Sequence, residues 1–165
     1  MQDKKKIVFC DTGFFIRLVG EDEGELHDSA MKYFKYFLEN GYILRMSTIS
    51  IAEFCVKDSI KHLPLRNVLI SPFNVVSAEY TGMCASVLLE KKAKGARVIG
   101  ERVIILNDVK IMSQAQCDKA SYYITSDIRS KRMYDVLKDE QKLTYQFLDL
   151  HNPCESTFGC LEFKD

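Results

Sequence analysis

Hydrophobic positions change period repeatedly along this chain, and each change marks an element. Ile7, Val8, Phe9 and Cys10 form a short continuous run that ends at Asp11, the pattern of a strand buried on both faces. Over residues 26–38 the apolar positions Leu26, Ala30, Tyr33, Phe34, Phe37 and Leu38 recur at helical spacing, and Asn40 and Gly41 supply a stop. Residues 42–46 predict a second strand. Ile49, Ala52, Val56 and Ile60 then step by three and four, predicting a helix with Glu53 early in it and beside the apolar face. Residues 61–72, with Pro64 and Pro72, read as a long connection, 73–76 as a third strand and 78–94 as a helix. Gly95 and Gly100 bracket a break. The run Val103, Ile104, Ile105, Leu106 leads to Asn107 and Asp108, and helical spacing resumes through Ile111, Met112 and Ala115, so Asp108 is expected to open a helix. Residues 122–125 predict a strand that stops at Ser126 and Asp127, followed by a helix through Met133, Val136 and Leu137 and a last strand over 144–148.

Strands alternating with helices of ten or more residues imply βαβ units and a mainly parallel sheet covered on both faces, an α/β class. The chain has 165 residues with no repeat, linker or shift in composition, which predicts one domain over 1–150 and a tail at 151–165 that is not a separate domain. Lys plus Arg (23) balance Asp plus Glu (23), which argues against tight sequence-independent binding to a nucleic-acid duplex. No apolar run approaches the roughly 18 residues of a membrane span, and the start lacks a secretory signal, so a cytoplasmic protein with no membrane partner is expected. The six cysteines contain no Cys-x-x-Cys pair and suit reduced, mostly buried thiols. The tail His151, Cys154 and Cys160 could hold a metal, but its spacing matches no zinc pattern.

The chemistry is concentrated in acids. Asp11 and Asp127 follow strand-like runs, and Glu53 and Asp108 fall near the starts of predicted helices. In a parallel α/β sheet the carboxyl ends of the strands share one edge, where ligands bind. Each acid also has a plainer reading as a helix cap or first-turn acid, and Ser50 to Glu53 has the spacing of a capping box. As a set, four like charges in one cleft would take up protons or require cations. Carboxylates suit hard ions such as Mg²⁺ and Mn²⁺, and the implied chemistry is phosphodiester cleavage with two ions about 3.5 to 4 Å apart.

The stretches Ile7-Val8-Phe9-Cys10-Asp11-Thr12, Ser47-Thr48-Ile49-Ser50-Ile51-Ala52-Glu53-Phe54, Leu106-Asn107-Asp108-Val109-Lys110-Ile111-Met112-Ser113-Gln114-Ala115 and Tyr123-Ile124-Thr125-Ser126-Asp127 stand in an order that resembles the PIN-domain nucleases. Among these they are similar to the small VapC-type ribonuclease toxins of prokaryotes. The resemblance implies a PIN-like three-layer α/β/α sandwich with a five-stranded parallel sheet in the order 3-2-1-4-5. It also implies Asp11, Glu53, Asp108 and Asp127 as ligands of Mg²⁺ or Mn²⁺. Supporting hydroxyls match Thr12, Thr125 and Ser126. An antitoxin protein and pairing of two copies belong to the same expectation. The sequence departs from the family at Gly13, where Asn or Ser is frequent, and in the tail beyond residue 150.

Other site types fit less well. No Gly-rich phosphate loop is present, Gly13 occupies the position where a haloacid-dehalogenase-like phosphatase needs its second Asp, and Cys10 lies in a buried strand with no histidine placed to activate it. His27 and His62 match no ligand spacing. Lys4 to Lys6 and Lys91, Lys92, Lys94 and Arg97 read as solvated faces. Lys57 and Lys61, one and two helical turns beyond Glu53, and Arg129, Lys131 and Arg132 after Asp127 are candidates for holding a single-stranded backbone. Phe14, Phe15 and Tyr134 are expected in the core. The function expected is a Mg²⁺- or Mn²⁺-dependent ribonuclease cutting single-stranded or loop RNA. The alternative is a weakened PIN-like module for RNA binding or protein interaction, motivated by Gly13 and the neutral charge.

Overall fold

Five short strands pair in parallel in the order β3-β2-β1-β4-β5. The computed structural model describes residues 6–21, 24–95 and 102–159, the side chains of 102–105 aside. Lys4, Lys5, Arg97, Gly100 and Cys160 lie outside the described residues. The elements are β1 (Ile7–Cys10), α1 (Thr12–Val19), α2 (Glu25–Glu39), β2 (Ile43–Ser47), α3 (Thr48–Phe54), a single 3-10 turn (Ile60–His62) and β3 (Val68–Ser71). After these come α4 (Val75–Ala93), α5 (Arg102–Cys117), β4 (Tyr122–Thr125), α6 (Ile128–Asp139), β5 (Gln146–Asp149) and α7 (Cys154–Phe158).

The alternation within the central strands assigns the layers. Val8 and Cys10 of β1 point to one core with Phe14, Phe15 and Leu18 of α1, Tyr33 and Phe37 of α2 and Phe54 of α3. Phe9, between them, points to the opposite core with Leu88 of α4, Met112 of α5 and Met133 and Leu137 of α6, where Tyr123 of β4 joins it. Phe14, Phe15 and Tyr134 are buried in these cores as expected. The result is helix, sheet, helix. At the far end Phe158 of α7 stacks on Tyr36 at 4.4 Å between ring centroids, which seats the tail on the first core.

Several boundaries differ from the sequence reading, each for a local reason. The third strand is Val68–Ser71 instead of 73–76: Pro72, which lacks a donor, follows it, and Asn74 caps α4 by accepting the Ser77 N–H at 2.9 Å. Val75 and Val76 thus lie in the first turn of a helix, 83% and 63% exposed. The helix after β2 ends at Phe54, well short of Ile60. Its apparent apolar face does not continue, since Val56 is 79% exposed. Lys57 and Lys61 therefore stand on a turn and on the 3-10 segment, not on later turns of the Glu53 helix. Helix α5 begins at Arg102, so Asp108 sits in its interior and opens nothing. Helix α1 was not anticipated. It is short and bounded by Gly20, though Phe14, Phe15 and Leu18 have its spacing. Gly41, at φ +69, terminates α2 as the stop signal predicted.

Candidate metal centre

Parallel pairing brings the carboxyl ends of β1 and β4 side by side, and the Asp11 N–H donates to the Ile124 carbonyl at 3.0 Å. Asp11 stands at the N-terminus of α1 yet makes no side-chain cap. Its Oδ2 instead accepts the Thr125 hydroxyl at 2.7 Å, and the residue is 8% exposed. Thr125 Oγ1 in turn accepts the Asp127 N–H at 3.0 Å, so one hydroxyl ties the ends of both strands together.

Glu53 lies in the last turn of α3, not early in its helix. The cap of that helix is Ser47, whose Oγ accepts the Ile49 N–H at 3.0 Å, and the capping box between Ser50 and Glu53 does not form. Ser50 Oγ is buried without a partner. Glu53 turns across to α1, where its Oε2 accepts the Thr12 hydroxyl at 2.5 Å. Thr12 and Thr125 thus support carboxylates, each on another element. Ser126 acts by volume: a Cβ on Gly13 would stand 2.6 Å from Ser126 Oγ, so the glycine is matched to the serine opposite it.

Asp108 enters from α5 and is half-buried, with its Oδ2 shielded from solvent and unpartnered. Asp127 caps α6, accepting the Arg129 N–H at 2.9 Å on Oδ1, and the Arg129 side chain forks onto both its oxygens, Nε to Oδ1 and Nη2 to Oδ2, each at 3.1 Å. For this acid the capping reading is correct.

The acids interact. Burial pushes the Asp108 carboxyl up to about 7, and the negative charges of Asp11, Asp127 and Glu53 add to it against an opposing pull from Arg129. Burial likewise raises Asp11 to about 6; the Thr125 hydroxyl and the Thr12 N–H oppose the rise, and Glu53 and Asp127 add to it. Four acids from residues 11 to 127 therefore share one electrostatic neighbourhood. Among the described residues no three His, Cys, Asp or Glu side chains form a closed metal-binding group as placed: Glu53 and Asp11 are drawn to hydroxyls and Asp127 to Arg129. The donor set nevertheless fits a hard divalent ion, being all oxygen and anionic, with a buried Asp108 oxygen lacking any donor.

Two grooves meet at Glu53. One, of about 570 Å³, is lined by Ile16, Val19, Phe54, Lys57 and His62; the other, of about 440 Å³, by Ile49, Ala52, Val56 and Asn107. Lys57 faces the first, whereas Lys61 and Arg132 are exposed outside both. Lys131 is paired with Asp135 and lies over the Tyr134 ring. The commitment of Arg129 to Asp127 was not foreseen, although the spacing Asp-x-Arg at a helix start was its available signal. His62 was set aside in the sequence, but it borders the first groove and bonds Asp58 at 2.6 Å.

The cysteines are free among the described residues, with Cys10, Cys84 and Cys154 buried, Cys117 half-buried and Cys55 exposed. Burial, and then the charge of Asp11, raise the Cys10 thiol well above its ordinary range, which suits a packing role. Cys154 is enclosed in the first core and His151 Nδ1 is bonded to Asp149 at 2.6 Å, so the tail offers no metal site among the described residues.

A parallel 3-2-1-4-5 sheet between two helical layers, with acids gathered at its carboxyl edge, is the PIN-like α/β/α fold. Solved structures agree. The chain is similar to one in the crystal structure of VapBC2 from Rickettsia felis bound to a DNA fragment from their promoter, at 22% identity and TM-score 0.57, covering 87% of this chain and 99% of that one. It is also similar to one in the crystal structure of DNA-bound VapBC from Salmonella typhimurium, at 15% identity and TM-score 0.54, covering 89% and 99%. No protein-family model matches the sequence, and no curated protein does. At these identities the likeness establishes the fold. Among the described residues no helix is long and apolar enough to cross a membrane.

Proposed function

We propose that this chain is a Mg²⁺- or Mn²⁺-dependent endoribonuclease that hydrolyses phosphodiester bonds in single-stranded or loop RNA, and that it is the toxin of a toxin-antitoxin pair acting in the cytoplasm. The observation that carries the catalytic reading is the shared field of Asp11, Glu53, Asp108 and Asp127, with a buried Asp108 oxygen that no donor satisfies. The toxin reading is supported by the fold shared with VapBC chains; a protein antitoxin and a second copy of the chain are the partners it proposes.

Asp11, Glu53 and Asp108 would hold the ion, with Asp127 beside them. When bound, Mg²⁺ or Mn²⁺ supplies a water of lowered pKa and draws charge from the scissile phosphate. Thr125 and Thr12 keep the Asp11 and Glu53 carboxylates aimed, since each donates its hydroxyl to one carboxylate oxygen. Asp11 and Asp108 hold protons to higher pH than ordinary carboxyls, so protons compete with the ion below about pH 7. Lys57 on the groove next to Glu53, with exposed Lys61 and Arg132, supplies cations for the flanking phosphates.

The test is incubation of the chain with labelled single-stranded RNA in Mn²⁺, in EDTA and as Asp11→Asn. Cleavage to 5′-phosphate products that EDTA and the variant abolish is the expected result. RNA retained but never cut would leave the binding module as the correct account. Gly13, which with the neutral charge motivates that account, lies where an added Cβ would stand 2.6 Å from Ser126 Oγ.

A further inference from the structure

The β5 edge of the sheet carries a concavity that the four acids do not use. It has a volume of about 340 Å³ and is lined chiefly by Lys131 and Tyr134 of α6, Gln146, Phe147 and Asp149 of β5, and Asn152 just beyond. Phe147 is half-buried. Its ring packs on Tyr134 at 5.2 Å and on Tyr123 at 5.9 Å between centroids, and both tyrosines are buried, so the ring rests on a fixed aromatic support. Gln146 and Asn152 are exposed, and neither carboxamide has a hydrogen-bond partner among the described residues. The Lys131 ammonium lies 5.8 Å from the Phe147 centroid and is paired with Asp135. This concavity shares the edge of the acids: Thr125, which donates to Asp11, is in register with Asp149. Neighbouring strands lie about 4.8 Å apart, so the end of β5 stands about 10 Å from the end of β1.

We infer that this concavity is a base-binding subsite, in which one unpaired nucleobase of an RNA strand stacks on Phe147 while the Gln146 and Asn152 carboxamides read its edge. It rests on the ribonuclease reading above for its ligand and adds recognition of one base beside the cut. An unpaired base presents a π-face and an edge of donors and acceptors. A partly exposed aromatic ring takes the first, and a carboxamide, which both donates and accepts, takes the second. The exposed Lys131–Asp135 pair is weak enough for Lys131 to exchange its partner for the phosphate of the same nucleotide. Stacking also suits the balanced charge of the chain, which limits what phosphate contacts can contribute. A peptide strand added to the β5 edge is the rival occupant. At the start of β5, however, the Tyr145 carbonyl already accepts the Tyr134 hydroxyl at 2.7 Å and the Lys138 ammonium at 3.2 Å, and the Thr144 carbonyl accepts Lys138 at 3.1 Å.

The test uses short single-stranded RNAs that carry aminopurine, a fluorescent adenine analogue whose emission falls when it stacks, at each position in turn. They are titrated with the full chain in EDTA, and the same RNAs are assayed for cleavage in Mn²⁺. A fall in emission at one position, which Phe147→Leu abolishes while weakening affinity at least about fivefold, is the expected result. Gln146→Ala combined with Asn152→Ala should keep the fall and lose the preference among bases at that position. Thermal melts verify that the variants fold, and the two amides are exposed. No fall at any position of an RNA that the chain cuts overturns the inference and leaves the nuclease reading standing. So does a fall that Phe147→Leu retains, or a base preference unchanged in the double variant. A fall without cleavage supports the subsite and overturns the nuclease reading, and RNA neither bound nor cut overturns both.

Discussion

Asp108→Asn separates the electrostatics of the site from its chemistry, because it removes a charge while keeping the side chain's shape. A carboxyl whose pKa is higher folded than unfolded binds its proton more tightly in the folded chain. Its contribution to stability is complete below the unfolded value, near 3.8, and is lost as pH rises through about 7. One pKa unit is about 1.4 kcal/mol, so the span from 3.8 to about 7 corresponds to at most about 4 kcal/mol, and partial exposure reduces this to about 2 to 3. Asp108→Asn cannot lose that increment. In EDTA its stability relative to wild type should therefore improve by about 2 to 3 kcal/mol between pH 4 and pH 8. For a chain of this length that is a change of roughly 5 to 12 °C in the difference between the melting temperatures. Mn²⁺ at pH 8 should raise the wild-type melting temperature and do little for the variant, since an ion that binds only the folded state stabilises it. Thermal melts followed by circular dichroism at half-unit pH steps provide the measurement. A difference that stays flat from pH 4 to pH 8 would refute the shared-field account of the four acids, and an equal Mn²⁺ shift in both proteins would refute Asp108 as a ligand.

Other perturbations have defined outcomes. Gly13→Ala gains helix propensity but drives a methyl against Ser126 Oγ, and should lose about 1 kcal/mol by urea denaturation; Gly13→Ala with Ser126→Ala should recover it, whereas simple additivity would contradict the fit. Thr125→Val deletes the donor to Asp11 and the acceptor for the Asp127 N–H, costing about 1 to 3 kcal/mol and reducing cleavage, and an unchanged melting curve would count against that junction. Alkylation of the native chain at pH 8, read by mass spectrometry, should mark Cys55 well ahead of Cys10, Cys84 and Cys154.

The layers of this domain were legible because strands and helices announce themselves by period, and β1 and β4 were placed to the residue by their apolar runs. The errors share a cause: apolar character without burial. Val75 and Val76 looked like a strand and Val56 like a continuing helix face, yet all three are solvent-facing, and only Pro72 and the Asn74 cap reveal where the chain changes state. At the site the ambiguity is of another kind. Helix capping and cation binding both favour an acid just past a strand, so local sequence gives the two the same signature. What separates them is the partner. Asp127 bonds two residues along its own helix and is a cap, whereas Asp11 reaches Thr125 and Glu53 reaches Thr12, contacts that span 114 and 41 positions. A cap needs nothing from a distant strand. The long-range hydroxyls, together with an Asp108 oxygen left without any donor, set Asp11, Glu53 and Asp108 apart from an acid that only caps a helix, which is what the proposed metal-dependent reading requires of them.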